Sequence, residues 1–165
     1  MPLIDALLLE LDQEAQTTRR VLERVDDDHL NWRPHPKART LGELALHIAA
    51  VPGAVAELAL KDEVQPPTFV DPSPSSAKEV MSTLDDSVAK AKKILTGVSD
   101  EVLMSRWRMM RGEQEIFSQP KIALLRSIML NHWYHHRGQL SVYLKQLNVP
   151  IPSIYGPSAD ENPFG

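Results

Sequence analysis

The sequence predicts an all-α protein, a four-helix bundle with a long crossover between helices 2 and 3. Three observations carry this. Apolar residues recur at steps of three and four in four separate stretches, the spacing of one helical face. Aromatic residues make up only 5% of the chain, so the core must come from Leu, Val, Ile, Ala and Met. Between the second and third stretches, residues 61–76 hold Pro66, Pro67, Pro72 and Pro74, too much proline for a helix or a central strand. A linker of that length can carry the chain from one end of a bundle to the other. At 165 residues, positions 1–165 read as a single domain, long enough to bury about two-thirds of the unfolded surface.

The first helix spans 3–25, with Leu7, Leu8, Leu11, Ala15, Thr18, Val21, Leu22 and Val25 on one face and charged residues opposite. Pro34 and Pro36 make 26–39 a connection, with a short turn near 28–32. Thr40 and Glu43 have capping-box spacing at the start of the second helix. This helix runs to about Leu60, with Leu44, His47, Val51, Val55 and Leu58 as its inner stripe. Pro52 cannot donate to the carbonyl of Ile48, so a kink or a locally broken turn is expected there. Ser75 or Ser76 can cap a third helix that reaches about Thr96, with Val80, Leu84, Val88, Ala91 and Leu95 inward and Gly97 as its stop. A short helix at 99–103 and an irregular excursion or small hairpin at 105–117 follow. Pro120 opens the last helix, which extends to about Leu147. Residues 148–165 form a proline-containing tail.

The chain has no cysteine. That removes disulfides, thiolate metal sites and a protein-borne thiol nucleophile, so any thiol must come from a substrate. It also suits a reducing, cytoplasmic setting. Asp5, Glu10 and Asp12 near the start do not read as a secretory leader. No apolar run looks long enough to span a membrane. A formal net charge of -4 disfavours nucleic acid as a partner.

Residues 131–140, NHWYHHRGQL, hold three of the six histidines. His132 and His136 stand four apart, on one helical face, within the stripe Leu125, Met129, His132, His136, Leu140, Tyr143, Leu147. His47 likewise interrupts the apolar stripe of the second helix. Inward imidazoles need polar partners. Three of them suit a divalent ion such as zinc or nickel and leave coordination positions free, as catalytic sites do. The residues leave a second reading open, in which these are hydrogen-bonded core histidines. His135 lies about 100° around the helix from His136 and falls at the rim. His29 and His35 sit in the first connection, where surface histidines are common. Arg137 suits either a substrate anion beside the metal or a surface ion pair. Trp107 and Trp133 suit a pocket wall or, by default, the core. His-Glu-x-x-His, a glycine-rich phosphate loop and a nucleophile elbow are all missing.

NHWYHHRGQLSVYL followed by VPIPSIYGPSADE, together with RPHPKARTLGELALHIA and the VPG after it, resembles the signatures of the DinB/YfiT-like family. The resemblance implies an up-down-down-up bundle that is frequently a homodimer. It also implies a divalent metal held by one histidine of helix 2 and two of helix 4, here His47, His132 and His136. Related branches include metal-dependent thiol S-transferases and a thiol-dependent maleylpyruvate isomerase, which use low-molecular-weight thiols. The leading functional expectation is therefore a metal-dependent enzyme of the thiol-transferase type, acting on a small molecule. A metal-assisted hydrolase and a non-catalytic metal-binding or dimeric interaction module are the competing expectations.

Overall fold

A computed structural model of the chain describes residues 1–68 and 70–165. Helices α1 (Leu3–Leu22), α2 (Leu41–Ala59) and α3 (Ala77–Leu95) are followed by the short α4 (Asp100–Met104). The last rod consists of α5 (Lys121–Leu124), a π-helical stretch (Leu125–Asn131) and α6 (His132–Gln146). Helix α2 packs on α3 and α6, and α1 packs on the same two, so the long helices close around one apolar core.

The all-α expectation needs one correction. Strands β1 (Glu63–Val64), β2 (Arg106–Arg111) and β3 (Gln114–Pro120) form a three-stranded sheet in that order. The expected hairpin is real: Arg111 pairs with Gln114 around Gly112 and Glu113, and Gly112 takes φ +61°, a conformation open to glycine. The proline-rich linker adds β1, parallel to β2. Trp107 on β2 is buried in the core and donates its indole N–H to the Leu58 carbonyl at 3.2 Å, which ties the sheet to the end of α2.

Most boundaries follow local chemistry. The capping box is complete: Thr40 Oγ1 accepts from the Glu43 N–H at 3.1 Å, and Glu43 Oε2 accepts from the Thr40 N–H at 2.8 Å. Ser76 caps α3 and Ser99 caps α4. The chain leaves α3 through Gly97 at φ +80°. Helix α1 stops at Leu22, short of Val25. The first connection contains a 3-10 turn at Asp27–His29.

Helix α2 departs furthest from its expected single stripe. Ala45, Ile48, Ala49, Ala56 and Ala59 are buried along with Leu44, Val51 and Val55. By length and composition it is apolar enough to cross a membrane, yet more than half of it is buried within the bundle, as befits a core helix. Pro52 does not break it. The Ile48 carbonyl that Pro52 cannot reach accepts the Trp133 indole N–H at 2.8 Å. The Ser87 hydroxyl bridges the next turn, accepting from the Gly53 N–H at 2.8 Å and donating to the Ala50 carbonyl at 3.0 Å. Ser87 therefore takes the buried place that periodicity gives to Val88.

Gly53 allows that close approach. A Cβ there would stand 2.8 Å from the Ser87 carbonyl oxygen and 3.1 Å from its Cα. Both are backbone atoms, so α3 as a whole would have to retreat. Gly53→Ala should destabilise the fold by about 1–3 kcal/mol in urea unfolding, despite alanine's ~1 kcal/mol helix-propensity advantage. A net gain in the unfolding midpoint would contradict this packing.

Candidate metal centre

The core helix and the last rod bring His47, His132 and His136 together. His47 and His132 are partly exposed, whereas His136 is buried. One ligand atom from each lies within 4.8 Å of the other two. The ring centroids are 5.3 Å apart for His47–His132, 4.6 Å for His47–His136 and 4.3 Å for His132–His136, with near-perpendicular planes.

The donor set fits a divalent ion. The Nε2 atoms of His47 and His132 are 3.1 Å apart. A tetrahedral ion with ligand nitrogens at about 2.0–2.1 Å sets those nitrogens about 3.3 Å from one another. His136 Nδ1 lies 2.8 Å from Gln139 Oε1. As the Nδ1–H donor of that pair, the ring keeps its Nε2 lone pair free, the usual way a metal-binding histidine is oriented. Gln139 was not legible as a site residue, since i,i+3 spacing on a helix is common and points to no chemistry by itself.

The surroundings keep these rings neutral. Burial, then the charge of Arg39 and the other two histidines, lowers the His47 pKa from 6.5 to about 4. Burial first, then His136, His135 and Arg39, brings His132 to about 4 as well. Burial also lowers His136, against the opposing hydrogen bond that its ring donates to Gln139. Neutral imidazole is the form that binds metal.

These depressed values set the sign of a pH effect in the metal-free protein. Above pH 6.5 both folded and unfolded chains hold these imidazoles neutral. Between about pH 6.5 and 4 the unfolded chain takes up protons that the folded chain resists, so stability falls as pH falls and levels off below about 4. Urea midpoints at several pH values should show less of this slope in His47→Gln/His132→Gln than in wild type. Equal slopes would contradict the neutral cluster.

The π-helical stretch ends where the site begins. The His132 N–H reaches back to the Ser127 carbonyl, five residues earlier. Such turns rephase a helix and are frequent at functional sites. Here the inward positions become Met129, Leu130, Trp133, His136, Arg137, Leu140 and Leu144, a wider face than the expected single stripe.

His135 is exposed, its ring centroid 5.1 Å from that of His136, so it stays outside the triad. His29 pairs with Asp26, and His35 accepts from the Lys37 N–H, both in the first connection. Trp133 is buried, like Trp107, and both take the core role. Arg137 is neither a surface residue nor aimed at the triad. It is 1% exposed, pairs with Glu14 at 2.6 Å and donates to Thr18 Oγ1 at 3.0 Å. The rings of Tyr134 and Tyr155 lie 5.2 and 5.1 Å from its guanidinium carbon.

Comparison with known proteins agrees with this architecture. The uncharacterized protein YrdA of Bacillus subtilis is 29% identical over 158 residues, covering 96% of this chain and 91% of that one. A DinB-like protein from Bacillus cereus superposes with a TM-score of 0.67 at 25% identity, covering 92% of this chain and 97% of the other. The DinB-like protein YjoA of B. subtilis gives 0.68 at 19% identity, covering 90% and 97%. The DinB superfamily profile matches residues 10–140, a span that includes His47, His132 and His136. The chain belongs to the DinB superfamily.

Proposed function

We propose that this protein is a divalent-metal enzyme of the thiol-transferase type, with His47, His132 and His136 holding zinc or nickel. One observation carries the reading: three neutral imidazoles from two packed helices converge with ligand atoms within 4.8 Å of one another. Three protein ligands leave positions for a reactant. A bound divalent ion supplies Lewis acidity, which lowers the pKa of a thiol or water reaching such a position. The chain's residues do the rest. Gln139 fixes the His136 ring, and α2 holds His47 against α6. The partly exposed faces of His47 and His132 give a small molecule its approach.

A substrate-borne thiol suits a chain that has no cysteine of its own. The same composition supports a reducing, cytoplasmic setting, and the acidic net charge favours a small-molecule partner over nucleic acid. The resemblance of the signatures supports an up-down-down-up order of the long helices and a homodimer.

The reading is tested on protein carrying its own metal, identified by elemental analysis. Conjugation of bacillithiol, mycothiol, glutathione and coenzyme A to electrophiles is measured with and without chelator. Metal-dependent turnover with one thiol is expected. Turnover that persists without any thiol would point to hydrolysis instead, and no turnover with any of them would sink the transferase reading.

A further inference from the structure

The triad has a neighbour that the metal does not need. Arg39 immediately precedes the cap of α2, two turns before His47. Tyr143 stands two turns beyond His136 on α6, and its hydroxyl donates to the Arg39 carbonyl at 3.4 Å. Tyr143 also packs edge-on against Trp32, ring centroids 5.6 Å apart. The two metal-bearing helices are thus joined again at Arg39, about two turns along each from the triad.

The Arg39 side chain is 26% exposed, yet its Nε is buried and makes no directed hydrogen bond. Asp71 lies 2.8 Å from that Nε, close enough to pair by charge. Among the described residues, none accepts a directed hydrogen bond from this guanidinium. A planar guanidinium left so is a fork matched to a carboxylate.

Asp71 is a replaceable partner. It lies on the linker between α2 and α3 and is itself 35% exposed. That linker is fastened just beyond it. Ser73 donates to Glu43 Oε1 at 3.3 Å, and Pro74 packs on Gly42. The pair is only partly exposed, but a single carboxylate on a linker gives it one contact. Such pairs contribute modest stability, so an incoming carboxylate can replace it. The charge of Arg39 is felt at all three imidazoles, which places it within electrostatic reach of the triad. Arg33 adds positive charge near Tyr143.

We infer that Arg39 docks a carboxylate carried by the small thiol whose sulfur reaches the metal, and that Asp71 is the resting counter-ion this carboxylate replaces. The inference rests on the thiol reading of the site and names its substrate class: acidic thiols rather than neutral ones.

The test uses the full chain loaded with cobalt(II), whose near-ultraviolet charge-transfer band reports sulfur ligation. Mercaptoacetate, 3-mercaptopropionate and 4-mercaptobutyrate are each titrated against the corresponding amide. One acid should bind about tenfold tighter than its amide, as one charge-assisted pair allows. Arg39→Gln should bring that ratio close to one, with Arg39→Lys intermediate; any change in thiolate binding that the lost charge causes is shared by acid and amide and cancels in the ratio. Asp71→Asn should strengthen the acid several-fold more than it does the amide, raising the acid-to-amide ratio. Equal binding of acid and amide at every length, a preference that survives Arg39→Gln, or no gain in Asp71→Asn would overturn the inference while the thiol reading stands. Failure of both series to ligate retained cobalt would overturn the thiol reading and the inference with it.

Discussion

His47→Ala and His132→Ala should each strip the protein of its metal and remove the metal's contribution to the melt. If free metal is held at a thousand times the dissociation constant, binding to the folded state alone stabilises it by about 4 kcal/mol. For a chain of this size that is roughly 10 °C in melting temperature. Each variant should melt where wild type melts in chelator, because one missing donor leaves two. The metal-free forms should differ much less, since these rings are partly exposed and their loss opens little buried volume. His135→Ala is the control: its side chain is exposed and outside the triad, so metal content and melt should stay at wild-type values. Full metal occupancy in His47→Ala, with an unchanged melt, would mean that these three residues are not the ligands.

The three histidines were legible because each breaks an apolar stripe, and a buried imidazole demands a partner. Periodicity places them on facing surfaces without knowledge of the fold. Helix starts were legible where a side chain makes the cap, as Thr40, Ser76 and Ser99 do. What escaped depends on contacts across the sequence. The parallel pairing of β1 with β2 joins residues more than forty positions apart, and no local pattern encodes it. Pro52 signalled a freed carbonyl at Ile48, but only the packed structure shows Trp133 answering it. The π-helical turn defeats any argument that assumes 3.6 residues per turn through 125–131. Arg137 lies beyond that turn, on regular α6. It reads as a surface or substrate residue because an arginine is rarely buried without a partner, and its partner Glu14 stands on α1, more than a hundred positions away.

Arg137 is the second position where a large effect is expected. Its pair with Glu14 joins α6 to α1, and Glu14 is itself only 13% exposed. Tyr155 completes the cluster: Arg137 donates to its hydroxyl, which in turn donates to Glu14 Oε2 at 2.9 Å. Arg137→Met would leave Glu14 without its cation and with little solvent, the Tyr155 hydroxyl its remaining donor. Breaking a buried pair from one side costs about 3–5 kcal/mol, far more than a surface pair such as Lys90 with Glu57 would. Glu14→Gln/Arg137→Met should recover much of that loss, because a buried pair replaced on both sides is often close to neutral. A double-mutant cycle in urea isolates the coupling. The same substitution should loosen the C-terminal tail, which Tyr155 holds here and Arg20 holds at the Ser153 carbonyl, so limited proteolysis should cut it sooner. Because Arg137 follows His136 directly, metal affinity should fall as well in the single variant and return in the double. Additive losses in the cycle would mean that the buried pair is incidental. A coupling of several kcal/mol would make it the brace that holds the last helix, and the two histidines on it, against α1.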